Sequence, residues 1–295
     1  MRAFTFESEE LYTDRTAEQD AGVLDRVHID GADLEIAVRG LGEPILFVQT
    51  ALSADELLPI ARQPVLGDGF QTIVYHRRGY CGSSAVAGMG SIVQDAADGA
   101  ALLDSLAIEQ AHVVGLSFSG AIAIQLASAA PERVRTLTLI EPPPVHVPSA
   151  AAFRAANTRL LEIRRVAGVG AALDQFLTML VGPQWRTEVE RGLPGSVAQM
   201  ESDAATFFDT DIPALLEWQF TPADAGRITA PVLYVGGADS GSLFAEVRTL
   251  MLTWLPWAED VTITGADHSL AISHPGEIAA ALASFLQRQT TLLRK

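Results

Sequence analysis

Cysteine is almost absent from this sequence, in which Cys81 is the single example among 295 residues. One cysteine cannot form an internal disulfide, and it cannot supply a metal centre that needs several thiolates. We therefore expect neither feature. No base stands at a position that would activate the thiol, so we do not expect Cys81 to be a nucleophile.

Long apolar runs and basic residues are also scarce. No run is long enough to span a bilayer, and the first ten residues, M-R-A-F-T-F-E-S-E-E, lack the apolar segment and cleavage site of a secretory leader. Twenty Lys and Arg against 36 Asp and Glu give a net charge of -16. Nucleic acids and anionic membranes would repel such a chain, so we expect neither as a partner and predict a cytoplasmic protein.

Repeats and low-complexity segments are absent, and 48% of the residues are hydrophobic, which suits a large core. From residue 44 onward, apolar strands alternate with amphipathic helices, which is typical of a parallel sheet with helical crossovers. Between strands at 136–140 and 231–236, residues 145–228 show helical patterns only. Residues 1–24 are acidic and weakly periodic, and we interpret them as an N-terminal arm that could join two subunits in a homodimer.

The segment from Ala111 to Ala127 reads A-H-V-V-G-L-S-F-S-G-A-I-A-I-Q-L-A and predicts a strand, a sharp turn and a helix. A serine at the tip of such a turn, here Ser117, adopts a strained backbone and needs small neighbours two positions away. Gly115 and Ser119 fill those positions. The helix after Ser117 directs its free amides and positive dipole end at the hydroxyl, which favours developing negative charge.

This segment resembles the nucleophile elbow, G-x-S-x-G, of the α/β-hydrolases, with Ser119 in the place of the second glycine. The resemblance extends from about residue 26 to the end of the chain. It implies an α/β-hydrolase fold, with a mostly parallel central sheet flanked by helices. The core would comprise residues 25–144 and 229–295, with a helical cap of residues 145–228 inserted before the last strands.

A histidine follows the last predicted strand in the segment G-A-D-H-S-L-A-I-S-H-P-G-E-I, which resembles the family's G-x-x-H loop ahead of the C-terminal helix. The resemblance makes His268 the base that takes the proton of Ser117, because a serine hydroxyl is a weak nucleophile without one. For His274, beside Pro275, we favour a role at the helix terminus.

Two carboxylates compete as the acid that would orient His268. In most relatives the acid follows the next-to-last strand, and counting from Pro231 puts Ser240 at that place, with Asp239 one residue early. Glu141 instead stands at the end of the preceding strand, ahead of three prolines, and this pattern resembles the zearalenone-type lactonases. We favour Glu141 and keep Asp239 as the alternative.

Acyl transfer also requires hydrogen-bond donors for the oxyanion. The resemblance implies two backbone N–H groups, that of Phe118 directly after the serine and that of Ala51 in the loop after the strand at 44–48. The family usually has His-Gly where this chain has Gln49 and Thr50. Gln49 could therefore be a structural amide or a side-chain donor.

A second departure from the family lies in the segment H-R-R-G-Y-C-G-S-S. It resembles the family's D-x-R-G-x-G-x-S turn, with His76 at the aspartate place and Cys81 at a glycine place. We interpret both residues as shaping the loop.

Together these residues predict a serine hydrolase, without cofactor or metal, that cleaves an ester or lactone through an acyl-enzyme. A cap with few fixed charges favours a hydrophobic, uncharged substrate of small to medium size, although most cap aromatics would belong to its core. Two alternatives stay open. One is a non-hydrolytic cyclase or C–C bond lyase on the same scaffold, and the other is a ligand-binding receptor with a residual triad.

Overall fold

The computed structural model describes residues 24–67 and 69–293. The predicted N-terminal arm, residues 1–24, lies outside the described residues except for Leu24. Eight strands form one sheet. In chain order they are β1 Asp25–Ile29, β2 Ala32–Gly40, β3 Glu43–Val48, β4 Phe70–Tyr75, β5 Ala111–Leu116, β6 Val134–Ile140, β7 Val232–Gly237 and β8 Glu259–Ile263.

The strands lie in the order β1-β2-β4-β3-β5-β6-β7-β8. The first two pairs in this order are antiparallel and the other five are parallel. The predicted mostly parallel sheet is therefore confirmed. Its strand order reverses around β3, where Val48 pairs with Gly115 of β5. The loops that follow β3 and β5 consequently emerge side by side, at the point where open parallel sheets place their sites.

Helices cover both faces of the sheet, as predicted. They are α1 Leu58–Ala61, α2 Ile92–Ser105, α3 Phe118–Ala129, α4 Ala150–Ala167, α5 Val169–Leu180, α6 Trp185–Gly192, α7 Ser196–Thr206, α8 Ile212–Glu217, α9 Pro222–Ala225, α10 Gly241–Trp254, α11 Leu270–Ser273 and α12 Pro275–Leu293. A π-helical turn, Phe207–Asp211, links α7 to α8. Among the described residues, none of the helices has the length and apolar character needed to cross a bilayer.

Two apolar clusters hold the helices onto the sheet. Residues of α2, α3 and α10 pack in one cluster, and residues of α1, α11 and α12 pack in the other. Helix α3 is the most enclosed of those in the first cluster, with ten of its twelve residues buried. A helix that is apolar on all sides is stable only in such a position, because every face removes apolar surface from water.

The helical segment between β6 and β7 has a core of its own. Its buried residues come from α4 to α8 and include Trp185, Phe207 and Phe208. Leu52, from the loop after β3, belongs to the same cluster and is 3% exposed. This contact joins the helical segment to the loop that lies beside the end of β5.

Candidate active site

Ser117 lies at a sharp turn between β5 and α3. Its backbone has φ 48° and ψ -121°, an unusual conformation for a residue with a side chain. The turn brings α3 so close to β5 that a Cβ on Gly115 would lie 2.4 Å from the Ser119 carbonyl oxygen. Only glycine fits there. The residues around Ser117 therefore allow the strained turn that presents the hydroxyl at the carboxyl end of β5.

Ser119, which replaces the second glycine of the elbow pattern, stabilises the turn through its side chain. Its hydroxyl accepts a hydrogen bond from the Leu116 N–H at 2.9 Å and donates one to the Leu116 carbonyl at 3.0 Å. Ser119 is fully buried. Gly120 makes the close contact instead, with the segment that follows β6, since a Cβ there would lie 2.7 Å from Cβ of Pro142.

Ser117, His268 and Glu141 are joined by two hydrogen bonds. The Ser117 hydroxyl lies 3.1 Å from Nε2 of His268, and Nδ1 of His268 lies 2.7 Å from Oε2 of Glu141. The carboxylate fixes the tautomer, because Nδ1 must carry the proton that it donates and Nε2 is then free to accept. Glu141 is 1% exposed, while the His268 side chain is 19% exposed, so the histidine faces the open side of the site.

Glu141 is held by the strand that follows it in the sheet. Its Oε1 accepts a hydrogen bond from Gly237 N–H at 2.8 Å, at the end of β7. The backbone of Glu141 has a positive φ of 43°. Both oxygens of the carboxylate are thus engaged, one by a backbone donor and one by His268.

Asp239, the alternative acid, lies in the turn that follows β7. Its side chain is exposed, and its backbone N–H donates to the Ala266 carbonyl at 2.8 Å. Ser240, at the usual acid position of the family, is partly buried. The structure therefore brings Glu141 to His268 and leaves Asp239 in solvent.

The His268 ring is also fixed by stacking. Phe244 of α10 lies against it with ring centroids 4.0 Å apart and planes 18° apart. His274 takes a different position. Its carbonyl accepts from Ile278 N–H in the first turn of α12, at 3.2 Å, and its ring contacts the Ser273 hydroxyl.

The loop after β3 is anchored next to the serine. Thr50 donates its hydroxyl hydrogen to the Leu116 carbonyl at 3.0 Å, which ties the loop to the end of β5. Leu52 has φ 64°, and its N–H donates to the Tyr80 hydroxyl oxygen at 2.9 Å. Ala51 lies between these two anchors. Phe118 begins α3, where N–H groups have no partner inside the helix.

Gln49 is buried behind the same loop. Its Oε1 accepts from Arg77 N–H at 2.6 Å, and its backbone carbonyl accepts from Arg77 Nε at 3.1 Å. Its Nε2 is buried and has no hydrogen-bond partner in the described part of the chain. The contacts of the Gln49 carboxamide oxygen are those of a structural amide.

Arg77 is a central residue that the sequence motifs did not single out. Its guanidinium is buried, pairs with Asp211 at 2.6 Å and Asp95 at 3.0 Å, and lies 4.7 Å from the centre of the Phe118 ring. Burial raises the pKa of Asp95 to about 7, although Arg77 acts in the opposite direction. The signal that could have indicated Arg77 is the pair of arginines, Arg77 and Arg78, separated by one residue from the end of the strand at Tyr75.

Glu56 is a second residue that no sequence motif singles out. It is half-buried in the segment between β3 and α1. Burial raises its pKa to about 7, and the nearby charge of His268 acts in the opposite direction. An acidic residue within electrostatic range of His268 thus changes charge near neutral pH.

His76 and Cys81 lie together, outside the serine site. Nδ1 of His76 is 3.1 Å from Oε2 of Glu35, and Nε2 is 3.1 Å from Oδ1 of Asp55. Burial lowers the pKa of His76, but the hydrogen bonds to Asp55 and Cys81 outweigh it and raise the pKa to about 10. Cys81 is exposed.

Comparison with known proteins finds similarity along most of the chain. The sequence profile of the Alpha/beta hydrolase family matches residues 47–281. RutD of Azorhizobium caulinodans, to which a carbamate hydrolase activity is attributed, is 27% identical over 256 residues, 84% of this chain and 92% of that protein. The 2-hydroxymuconate semialdehyde hydrolase of Pseudomonas sp. strain CF600 is 42% identical over 195 residues, 63% of this chain and 65% of that enzyme.

Among solved structures, a thermophilic esterase from Thermogutta terrifontis superposes with a TM-score of 0.75. The two chains are 19% identical, and the match covers 91% of this chain and 99% of the esterase. At this level of identity the similarity shows a shared fold.

Proposed function

The chain belongs to the alpha/beta hydrolase family, and on that basis we propose that it is a serine hydrolase that cleaves an ester or lactone through an acyl-enzyme. The observation that carries the proposal is the pair of hydrogen bonds from Ser117 to His268 and from His268 to Glu141. Nucleophile, base and orienting acid at hydrogen-bond distances are what acyl transfer by serine requires.

In the first step, Ser117 Oγ attacks the carbonyl carbon while Nε2 of His268 takes the hydroxyl proton. Glu141 stabilises the resulting imidazolium through Nδ1–H, and the same imidazolium then protonates the leaving alkoxide. Water, activated by His268, attacks the acyl-enzyme in the second step and frees the Ser117 hydroxyl. Glu141 does not gain a proton at any stage.

The oxyanion formed in each step is assigned to the N–H groups of Phe118 and Ala51. Phe118 donates from the first turn of α3, where the helix dipole also favours negative charge. The anchors on both sides of Ala51 support its role, because a donor that is already held in place needs no reorganisation during the reaction. Arg77 supports the Phe118 side of the site through its contact with the aromatic ring.

The helical segment is assigned the role of a cap over the site. Its packing on Leu52, next to Ala51, supports this placement. The apolar character of that cluster, together with Phe244 against His268, favours a hydrophobic acyl or alcohol group in the substrate.

Replacement of the two candidate acids tests the proposal. Glu141→Gln should lower kcat on p-nitrophenyl esters or simple lactones by about 10⁴-fold, because the amide no longer holds the required histidine tautomer. Asp239→Asn makes the same chemical change on an exposed carboxyl and should leave kcat within about twofold. Ser117→Ala should abolish the burst phase. Full turnover by Ser117→Ala, or a larger loss in Asp239→Asn than in Glu141→Gln, would overturn the proposal.

Carbamate cleavage is a second candidate reaction. It is favoured by the similarity to RutD, which extends over 92% of that protein. A carbamate presents the same carbonyl to Ser117 and requires the same oxyanion donors, so one site could serve either bond. Comparison of kcat/KM for an ester and a carbamate with the same alcohol group distinguishes the two.

A further inference from the structure

We propose that Glu35, His76 and Cys81 form a binding site for Zn²⁺, separate from the serine site. Each residue offers one ligand atom, and these atoms all lie within 4.8 Å of one another. Two of the three, His76 and Cys81, are the positions at which the chain departs from the D-x-R-G-x-G-x-S pattern. The fold thus brings both departures to one carboxylate on β2.

The ligand types suit zinc. A thiolate, an imidazole and a carboxylate are the protein groups that bind this ion, at bond lengths of about 2.0–2.3 Å. Three protein ligands leave the fourth tetrahedral position for water, and Cys81 is exposed, so water reaches the ion. A hard cation such as Mg²⁺ would bind oxygen ligands instead, and it would not select a site with a thiol.

Hydrogen bonds from neighbouring residues hold the three proposed zinc ligands in place. Asp55 accepts from Nε2–H of His76, which leaves Nδ1, on the side of Glu35, as the ligand atom. Metal-binding histidines usually donate their second ring N–H to a carboxylate, a backbone carbonyl or water, and Asp55 fills that role here. Glu35 Oε2 is fixed by Gly82 N–H at 2.8 Å. The Cys81 backbone has φ 50°, and its N–H donates to Asp203 of α7 at 2.9 Å.

The local charge also favours a cation. Glu35 and Asp55 lie on the two sides of the His76 ring, and their negative charges favour a bound cation. One opposing group is Arg26, whose Nη2 lies 3.8 Å from Oε1 of Glu35. The Arg26 side chain is 60% exposed, so it can turn into solvent when the ion binds.

A small cavity adjoins two of the three ligands, Glu35 and His76. A cavity of about 70 Å³ lies between β2, β4 and α1, and Glu35, Asp55 and His76 contribute to its lining. A bound ion would link β2 to the loop after β4 directly, and through Asp55 to the loop after β3. We therefore expect Zn²⁺ to stabilise the folded chain.

Cobalt provides the test, because Co²⁺ occupies zinc sites and its bonds to thiolate absorb strongly in the near ultraviolet. The full chain is treated with a chelator and titrated with Co²⁺, and then Zn²⁺ is added. Cys81 is the only cysteine, so any thiolate band reports on this residue. We expect one Co²⁺ per chain, a thiolate band, and loss of the band when Zn²⁺ displaces the cobalt.

Variants identify the other ligands. Cys81→Ser should abolish the band, His76→Asn and Glu35→Gln should each weaken binding by at least tenfold, and Asp55→Asn should weaken it about 10- to 100-fold. His28→Asn is the matched control, because His28 also pairs with a carboxylate, that of Asp33, but on the surface and without a thiol. It should bind Co²⁺ as the wild type does.

A second measurement uses the wild-type protein alone, so it does not depend on whether a variant folds. Zn²⁺ should slow alkylation of Cys81 by iodoacetamide at least tenfold and should raise the melting temperature. Absence of a thiolate band at saturating Co²⁺, or an unchanged alkylation rate with Zn²⁺, would overturn the proposal. A thiolate band that persists in His76→Asn with unchanged affinity would overturn it as well.

Discussion

Of the three residues in the Ser117–His268–Glu141 hydrogen-bond chain, Ser117 and Glu141 have positive φ although neither is glycine. Each follows directly on a buried parallel strand, so the sheet determines where the chain must turn. Strain of this kind costs of order 1–3 kcal/mol per residue and persists only where the surrounding packing enforces it. At these two positions it directs the hydroxyl and the carboxylate toward the same histidine.

Glu56 provides a prediction at the residue scale. Its pKa rises from 4.5 in the unfolded chain to about 7 in the folded protein, so the folded protein keeps a proton that the unfolded chain loses between these values. The stability that this proton provides is fully present below pH 4.5 and is lost as the pH rises through 7. Glu56→Gln should therefore raise the melting temperature at pH 8 and leave it nearly unchanged at pH 4.5.

Thermal unfolding of Glu56→Gln across this pH range is the measurement. Glu217→Gln makes the same change on an exposed side chain and serves as the control. A melting temperature for Glu56→Gln that differs from the wild type by the same amount at both pH values would contradict the expectation.

At the scale of elements, the turn between β5 and α3 depends on contacts within the strand end as well as on glycine. Ser119 bonds both backbone groups of Leu116, and Thr50 adds a second donor to the Leu116 carbonyl. The end of β5 is therefore tied both to the start of α3 and to the loop after β3. These ties hold Ser117 relative to Ala51.

Ser119→Ala should lower the free energy of unfolding by about 1–3 kcal/mol, because the buried Leu116 N–H loses its partner. Ser117→Ala is the matched control. It removes the same atom two residues away, from a hydroxyl whose one hydrogen bond within the described part of the chain is to His268. Urea unfolding of both variants gives the comparison. Equal stability of the two variants would show that the Ser119 bonds do not hold the turn.

At the scale of the whole molecule, the Arg77–Asp211 pair connects the sheet to the helical segment. Arg77 follows β4, and Asp211 ends the π-helical turn between α7 and α8. Tyr80 donates to the same carboxylate at 2.5 Å. Removal of one partner from a buried pair leaves an uncompensated charge.

Arg77→Met should therefore lower the free energy of unfolding by about 3–5 kcal/mol. Arg186→Met removes an exposed arginine that also pairs with two carboxylates, and it should cost less than about 1 kcal/mol. Urea unfolding measures both. A loss in Arg77→Met no larger than that in Arg186→Met would mean that the buried pair does not join the two parts.

Much of the fold could be predicted from the sequence, because buried parallel strands and amphipathic helices have different periods and alternate along the chain. Ser117 and His268 could be named because local patterns surround them. The sequence favours Glu141 as the acid but leaves Asp239 open, since a one-residue difference in a loop changes the position of Asp239 in ways that spacing does not reveal. The Arg77–Asp211 contact joins residues 134 positions apart, and no local pattern indicates it.

The most direct test of the central claim is to trap the acyl-enzyme. The protein is mixed briefly with p-nitrophenyl acetate, quenched in acid and digested, and the peptides are weighed by mass spectrometry. The proposed mechanism predicts one acetyl group on the peptide that contains Ser117 and none in Ser117→Ala. Two results would contradict it: ester hydrolysis by the wild type without an acetyl group on Ser117, and hydrolysis by Ser117→Ala at the wild-type rate.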